Sequence, residues 1–363
     1  MEENHYKNIF VLDRSRIGDL VMLIPLLRAI KAALPESVLS LAVNDDQLLI
    51  AKTLEGKIVD KVNSTKTPIS VPQRIIEMFY SMSNVRRSGA DVLITTAGGY
   101  RNSLVSLVSG AQVRVNPHEG SNRPFTDLMY THNIRHPLLM HCIDRNLSIL
   151  NYLGLRSGEI NFDFQIPDEV AEAARKVVDY YGIGNGPTIA VNPLSAQRWK
   201  DWPLESMLST INVLSRDLGY TIVVFGKDAS PPISGNNIVD LRGKTELLID
   251  AYLQRYSRLF DLVIGVDTGM MHIAGSVNSD GKGNYHKVSG NKTISLFGPT
   301  EPSVYRPYDP TNRFNFVVQP DLRHIRRNHS GYLANWERGG YMGMITTRMV
   351  LDKVEHLRSI KAA

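Results

Sequence analysis

Two doubly wound α/β domains with mostly parallel sheets are predicted by three features of the chain. These are its length of 363 residues, the alternation of short apolar runs with helical periodicity in both halves, and a break in that periodicity near the middle. A chain this long exceeds what one hydrophobic core usually supports, so two domains of similar size are expected. Continuous apolar runs are the pattern of strands buried on both faces, as in a parallel sheet covered by crossover helices.

In the first half, residues 8–12 (NIFVL), 38–43 (VLSLAV), 91–96 (DVLITT) and 112–115 (QVRV) read as strands. Between the first two, Leu20, Leu23, Ile24, Leu27, Ile30 and Leu34 recur at helical spacing, which makes the opening a βαβ unit. Pro25 is expected in the first turns of this helix, where a missing N–H is tolerated, and Pro35 closes it. In the second half, residues 188–192, 221–226, 238–242, 262–267 and 293–298 read as strands, with helices over 204–218 and 246–259. Periodicity stops at 161–169 (NFDFQIPDE), where Pro167 precedes a new helix, so the expected domains are 1–165 and 166–345, followed by a C-terminal helix at 346–363. Two segments break the alternation. Residues 276–292 (SVNSDGKGNYHKVSGNK) are expected to form an exposed insertion before the last strand. Residues 321–343, basic and containing Trp336, read as an ordinary surface loop, a lid or a membrane-facing edge.

Composition narrows the functional class. Apolar residues make up 43% and charged residues 21%, which fits a folded chain rather than a disordered one. Cys142 is the single cysteine and no Cys/His cluster has zinc spacing, so neither an internal disulfide nor a zinc site is expected, and a reducing compartment fits. The N-terminus lacks the apolar core of a signal peptide, and no apolar run approaches the ~18 residues of a membrane span, so a cytoplasmic location is expected. A formal charge of +5 suits phosphorylated ligands or an anionic membrane surface. Nucleic acid is not an expected partner, because no RNA-recognition signature or interleaving of aromatic with basic residues occurs.

Among local motifs, GKT at 243–245 lacks the glycine a P-loop requires five residues earlier, where Ile238 stands, and reads as a helix start at Thr245. YGIGNGP at 181–187 precedes a strand, whereas a dinucleotide fingerprint follows one, so it reads as a turn. GVDTGMMHIAG at 265–275 carries more. A strand ends at Asp267, Thr268 and Gly269 make a turn, and a helix begins with His272 in its first turns. Such a turn admits a phosphate, or else Asp267 or Thr268 only caps the helix and His272 packs. NPLSAQRWKDWP at 192–203 places Ser195, Gln197, Arg198 and Lys200 in a loop stiffened by Trp199, Trp202 and Pro203. Hydroxyl, amide and cationic groups at a strand's carboxyl end suit a diphosphate, although a surface loop with inward-packed tryptophans has the same composition. FGPTEP at 297–302 adds a weaker strand-end loop containing Gly298, Thr300 and Glu301. At the first strand-to-helix junction stand Arg14, Arg16, Gly18 and Asp19. An acid in a helix's first turn is by itself explained by the helix dipole.

Taken together, RIGDLVMLIPLLRAIKAALP at the start, MHCIDRNLSILNYLG at 140–154, NPLSAQRWKDWP, VDTGMMHIAG and FGPTEP resemble the lipopolysaccharide heptosyltransferase family, glycosyltransferase family nine. The resemblance implies the GT-B fold, two facing Rossmann-like domains, with the acceptor on the N-terminal side and a nucleotide sugar on the C-terminal side. It implies inverting transfer of heptose from ADP-L-glycero-D-manno-heptose to a lipopolysaccharide core or related glycan, with no cofactor. Asp19 then becomes the catalytic base, and Gly18, Arg14 and Arg16 the acceptor contacts. Lys200 becomes a diphosphate contact, with Ser195, Arg198, Asp267, Thr268, Gly269 and His272 completing the donor site. No Asp-x-Asp pair occurs, so no metal is expected. A lipid-linked acceptor would bring in contact with the cytoplasmic face of the inner membrane. The chain departs from the family pattern in NPLS, where the phosphate loop usually begins with PG, in the 276–292 segment and in GGYMGMI at 339–345. A transferase with another nucleotide sugar or a protein acceptor, and a silent nucleotide-sugar or glycan-binding protein, are the alternatives.

Overall fold

The computed structural model describes residues 6–65, 70–96, 99–118, 125–137, 139–156, 158–322 and 340–362. Trp336 and most of the basic 321–343 segment fall outside these residues. The chain divides into two compact units, Met1–Gln165 with Asn278–Asn284, and Ile166–Val277 with Tyr285–Ala363.

The first unit is built on β1 (Asn8–Asp13), β2 (Val38–Asn44), β3 (Lys61–Thr65), β4 (Val92–Thr95), β5 (Val113–His118) and β6 (His132–Arg135). They form one sheet in the order β3-β2-β1-β4-β5-β6, every neighbouring pair parallel. Helices α1 (Ile17–Ala33), α2 (Leu48–Lys52), α3 (Val71–Ser88), α4 (Tyr100–Val108) and α5 (Cys142–Tyr152) connect and cover the strands. The second unit contains β7 (Thr188–Asn192), β8 (Thr221–Val224), β9 (Ile238–Asp240) and β10 (Leu262–Val266). After the two-residue strands β11 (Asn278–Ser279) and β12 (Tyr285–His286) come β13 (Lys292–Leu296) and β14 (Asn315–Val318). Its sheet runs β14-β13-β10-β7-β8-β9, again wholly parallel. Numbered within its own unit, each sheet has the Rossmann order 3-2-1-4-5-6.

The second sheet shows why continuous apolar strands are needed. On one face Ile189, Val191, Ile222, Val224 and Ile264 pack against Met207, Ile211 and Leu214 of α7 (Leu204–Arg216; α6 is Asp168–Tyr181) and against Val350, Val354 and Leu357 of the C-terminal helix Thr347–Ala362. On the other face the intervening Ala190, Val223 and Val263 meet Ala174 of α6, Leu253 of α8 (Leu247–Arg255) and Met271 and Ala274 of α9 (Gly269–Gly275). Each Val, Leu, Ile and Met among them contributes about 1.5–3 kcal/mol on burial.

In the first unit α1 is buried almost all round, from Gly18 through Leu27 and again at Ile30. Pro25 lies in the middle of α1 rather than in its first turns. It can give no N–H to the carbonyl of Val21, and the helix persists because the residues on either side are locked in the core. From α5, Asn146 Nδ2 donates to the carbonyl of Met22 at 3.0 Å and ties the two helices together.

The segment 276–292 is not simply an exposed insertion. Residues 280–284 are exposed, but Ser276, Val277, Asn278, Ser279, Lys287 and Asn291 are buried. Ser279 and Ile160 exchange backbone hydrogen bonds, the Asn278 side chain accepts from the Phe162 N–H at 3.0 Å, and its amide donates to Asp163 at 2.7 Å. Its middle part, Asn278–Asn284, therefore belongs to the first unit, while the residues on either side belong to the second. Strand 293–298 is also not the last, since β14 follows it. In GGYMGMI, Met342 fills the space beside Gly298, where a Cβ would come within 2.7 Å of its sulfur. Among the described residues no helix is long and apolar enough to cross a membrane.

Thr245 sits where a helix start was expected, just before α8, and its hydroxyl donates to the Asp250 carboxylate at 2.5 Å. Burial pushes the Asp250 carboxyl up to about 7, and the Thr245 hydrogen bond opposes this only in part. The folded chain then keeps this proton to higher pH than the unfolded chain does, so the group costs stability progressively as pH rises from about 4 to about 7. Asp250→Asn cannot ionise and still accepts from Thr245. It should raise Tm by a few degrees at pH 8 and leave it unchanged near pH 4. Thermal denaturation at the two pH values checks this; an equal difference at both would contradict it.

Candidate active site

An order of 3-2-1-4-5-6 sends the connections from strands 1 and 4 to opposite faces of the sheet, opening a crevice at their carboxyl ends. In the second unit these strands are β7 and β10, and the expected donor residues follow them directly. After β7, a 3₁₀ turn at Arg198–Lys200 is closed by Lys200 N–H donating to the Gln197 carbonyl at 2.8 Å. The carboxylate of Asp201 accepts from the Ser195 N–H at 2.6 Å and ties the two ends of the loop together. Burial pushes the Asp201 carboxyl up, while the Ser195 N–H and Arg198 pull it down. Trp202 packs inward at 2% exposure and anchors the loop through its backbone N–H, which donates to the Pro193 carbonyl, while Trp199 lies 5.0 Å from the Lys200 ammonium. Ser195 and Lys200 are half-buried and Arg198 is exposed.

After β10, Asp267 is buried and Thr268 and Gly269 are half-buried. Neither acid nor hydroxyl acts as a helix cap here: Thr268 makes no side-chain cap bond to α9. Asp267 Oδ2 instead accepts from Lys200 Nζ at 2.6 Å and from Thr300 Oγ1 at 2.9 Å. His272 is buried, with Nε2 4.0 Å from the other Asp267 oxygen. The structure thus brings Lys200, Asp267, His272 and Thr300 into one cluster from loops after three adjacent strands, β7, β10 and β13. Close packing enforces the geometry. A Cβ on Gly265 would come within 2.6 Å of the Met271 sulfur and 2.9 Å of Asn192 Cβ. Asn192 itself exchanges amide hydrogen bonds with Gln254 at 2.8 and 3.3 Å. Gln319 Nε2 donates to the Gly298 and Thr300 carbonyls, each at 3.0 Å, and fixes the third loop.

In the first unit the equivalent crevice lies between β1 and β4. Asp13, the last residue of β1, is fully buried. Its carboxylate accepts from Thr96 Oγ1 at 2.6 Å, Gln47 Nε2 at 2.8 Å and the hydroxyl of Ser15. Burial pushes this carboxyl up and those hydrogen bonds oppose the shift. Asp19 stands in the first turn of α1, half-buried, with Oδ2 accepting from the Arg16 N–H at 3.1 Å. Gly18 is buried beside it and Arg16 is exposed. Arg14, expected to meet an acceptor, is turned inward. Its Nη2 lies 3.0 Å from Glu77 of α3, its Nη1 donates to Asn102 of α4 at 3.2 Å, and the side chain is only 6% exposed. Burial pulls its pKa down and Glu77 counters this. Arg14 braces the loop as the nearest cation to the buried Glu77 carboxylate, which also has Arg101 at 3.8 Å.

Thr300 was visible only as part of a weak strand-end loop, and its approach to Asp267 has no sequence signal. Glu77, Thr96 and Gln47 were not identified from sequence, since each acts through a partner more than 30 residues away. Among the described residues, no group of three or more His, Cys, Asp and Glu side chains could hold a metal ion.

The chain is similar to known proteins along most of its length. It is 22% identical over 316 residues to the lipopolysaccharide core heptosyltransferase OpsX of Haemophilus influenzae, spanning 84% of this chain and 82% of that one. It superposes on the glycosyl transferase family 9 structure from Veillonella parvula with a TM-score of 0.72 at 19% identity, covering 98% of both chains. It superposes on Escherichia coli heptosyltransferase WaaC, solved with ADP, with a TM-score of 0.65 at 15% identity, covering 96% of this chain and 99% of that one. These likenesses share the GT-B fold expected from the sequence. Residues 80–329 match the family model of glycosyltransferase family 9 (heptosyltransferase), and the chain belongs to that family of glycosyltransferases.

Proposed function

We propose that this glycosyltransferase is an inverting heptosyltransferase that takes heptose from ADP-L-glycero-D-manno-heptose and gives it to a lipopolysaccharide core or related glycan. The observation that carries the reading is the Lys200–Asp267–Thr300 cluster at the switch point of the second sheet. The ammonium there is oriented by a buried carboxylate and an aromatic ring before any ligand arrives, which is the preorganisation an anionic leaving group requires. The WaaC structure with ADP supports adenosine diphosphate as the nucleotide.

In this reading the donor's diphosphate lies against Lys200 and the loop of Ser195 and Arg198, with Thr268, Gly269 and His272 lining the same crevice. An acceptor hydroxyl oxygen attacks the anomeric carbon from the face opposite the diphosphate. As that C–O bond forms, the bond to the diphosphate breaks, its electron pair leaves with the diphosphate oxygen, and the hydroxyl proton passes to Asp19. Lys200 supplies the positive charge that receives the departing oxygen. Gly18 admits the acceptor close to the backbone and Arg16 offers an exposed cation to an anionic acceptor group. Arg14 supports the loop through Glu77.

A sugar hydroxyl is too weak an acid to ionise in advance, and a positioned base typically contributes ~10²- to 10⁴-fold. Asp19→Asn should lower kcat by about that factor and leave donor affinity within about threefold. Asp13→Asn, acting on the buried loop anchor, should lower Tm more than turnover. Steady-state kinetics with saturating substrates, alongside thermal denaturation, decides the matter; near-full turnover in Asp19→Asn excludes it as the base.

Lys200→Ala should weaken ADP binding by about 10- to 100-fold, the worth of a charge-assisted hydrogen bond. Asp19→Ala should leave ADP binding unchanged in the same calorimetric titration. Equal losses would remove the assignment of the donor to the second unit.

With Lys200 providing the charge, no divalent ion is needed at the diphosphate. Transfer should proceed at an unchanged rate in EDTA, and activity restored only by Mg²⁺ or Mn²⁺ would refute this part of the mechanism.

A further inference from the structure

Helix α3 carries apolar side chains on two faces. Toward the core it turns Glu77, Ser81 and Val85, spaced four residues apart and all buried, with the half-buried Met78 and Met82 packed beside Val85 against Phe10, Leu12 and Leu93. The two buried polar groups are satisfied locally: Ser81 Oγ donates to Glu77 at 2.7 Å, and Glu77 pairs with Arg14. The opposite face carries Ile75, Ile76, Phe79 and Tyr80, which are 49%, 68%, 61% and 54% exposed. A helix on a soluble domain normally turns its apolar stripe to the core, and four large apolar neighbours left in water on one helix mark an interaction surface.

The charges on the helix indicate what covers it. Arg74, Arg86 and Arg87 are exposed, and the single acid within Val71–Ser88 is the buried Glu77. Arg86 and Arg87 continue the outward face two turns beyond Phe79 and Tyr80. Arg101, at the start of α4, adds a further exposed cation 3.8 Å from Glu77. An apolar and aromatic strip edged by arginines with no exposed acid is complementary to lipid tails beneath anionic headgroups. It is poorly complementary to a second copy of itself, which would set arginine against arginine. Helix α3 follows β3, so its first turns stand at the carboxyl edge of the sheet, the edge that carries Asp19.

We propose that the outward face of α3 docks the protein on an anionic lipid surface, Ile75, Ile76, Phe79 and Tyr80 entering the interface and Arg86 and Arg87 contacting the headgroups. The docking surface stands apart from the sugar-transfer mechanism, so its test uses binding alone. The full chain would be sedimented with vesicles of phosphatidylcholine, with and without 30 mole per cent phosphatidylglycerol (about the anionic content of a bacterial membrane surface). Binding should require the anionic lipid and fall as salt rises. The double variant Ile76→Glu, Phe79→Glu should lower the partition coefficient at least about tenfold, and Arg86→Glu, Arg87→Glu should remove the salt dependence. Circular dichroism would verify the fold of each, and Ile76→Ser, Phe79→Ser serves if the glutamates perturb it. Failure of the wild type to bind anionic vesicles, or undiminished binding by the apolar-face variants, would overturn the proposal. So would a concentration-dependent dimer that disappears in those variants, which would assign the face to a second copy.

Discussion

The reversal of strand order beside the first strand of each sheet is the constraint on which the rest of the molecule depends. Because β1 and β4, and likewise β7 and β10, send their connections to opposite faces, no helix covers the carboxyl ends between them. The residues expected from the sequence to form the donor and acceptor sites collect at these two places. In the second unit the crevice is lined by an ion pair, Lys200–Asp267, reinforced by Thr300; in the first it is lined by Asp13 with its three side-chain donors and by Asp19 one turn further on. The packing beneath leaves little freedom. Gly265 has no room for a methyl group, and Asn192 is locked to Gln254, so the strands that carry the loops cannot shift without breaking buried contacts.

How legible an element was depended on how completely it is buried. Strands β1, β2, β7, β8, β10 and β13 are nearly all apolar because both of their faces are covered, and each stood out in the sequence. Three strands that escaped notice, β3 (KVNST), β6 (HNIR) and β14 (NFVV), lie at sheet edges, where half-exposed positions tolerate polar residues and the apolar signal is short. The 276–292 segment misled for the converse reason: its Gly, Ser and Asn residues look solvated, yet Asn278 and Ser279 are buried by hydrogen bonding to 160–163, a contact between residues more than 110 positions apart. Helix α3 shows the limit of periodicity itself. Apolar residues stand on both of its sides, Met78, Met82 and Val85 against the core and Ile75, Ile76, Phe79 and Tyr80 in water, so no single apolar stripe marks which side turns inward.

The candidate site was legible as positions and not as partnerships. Asp19 and Asp267 could be placed at strand-end turns because an apolar run stops and a helical pattern begins beside each. That Lys200 would meet Asp267 at 2.6 Å depends on the adjacency of β7 and β10, which follows from the strand order and from nothing local. Arg14 illustrates the opposite error. A cation next to a site reads as a ligand contact, yet withdrawing Arg14 would leave the buried Glu77 with only the longer contact to Arg101, a greater cost than an exposed anion contact returns, so the guanidinium is drawn inward.

The two accounts of Asp19, helix-start carboxylate and general base, are compatible and physically linked. Position three of α1 lets Oδ2 accept the Arg16 N–H, which otherwise would be one of the unsatisfied donors of a helix start. That bond holds the carboxylate in a fixed rotamer at the rim of the crevice, so in the proposed mechanism the entropy of orienting it is spent on folding rather than at the moment of proton transfer. The same logic applies to the proposed role of Lys200, whose long side chain is already held by Asp267 and Trp199. The buried pair sacrifices part of the charge that a bare lysine would present, since Asp267 neutralises it. What it gains is position: a flexible exposed ammonium is screened by water and salt, whereas one fixed against a buried carboxylate can present its remaining N–H groups to an oxygen whose charge grows only as the glycosidic bond breaks.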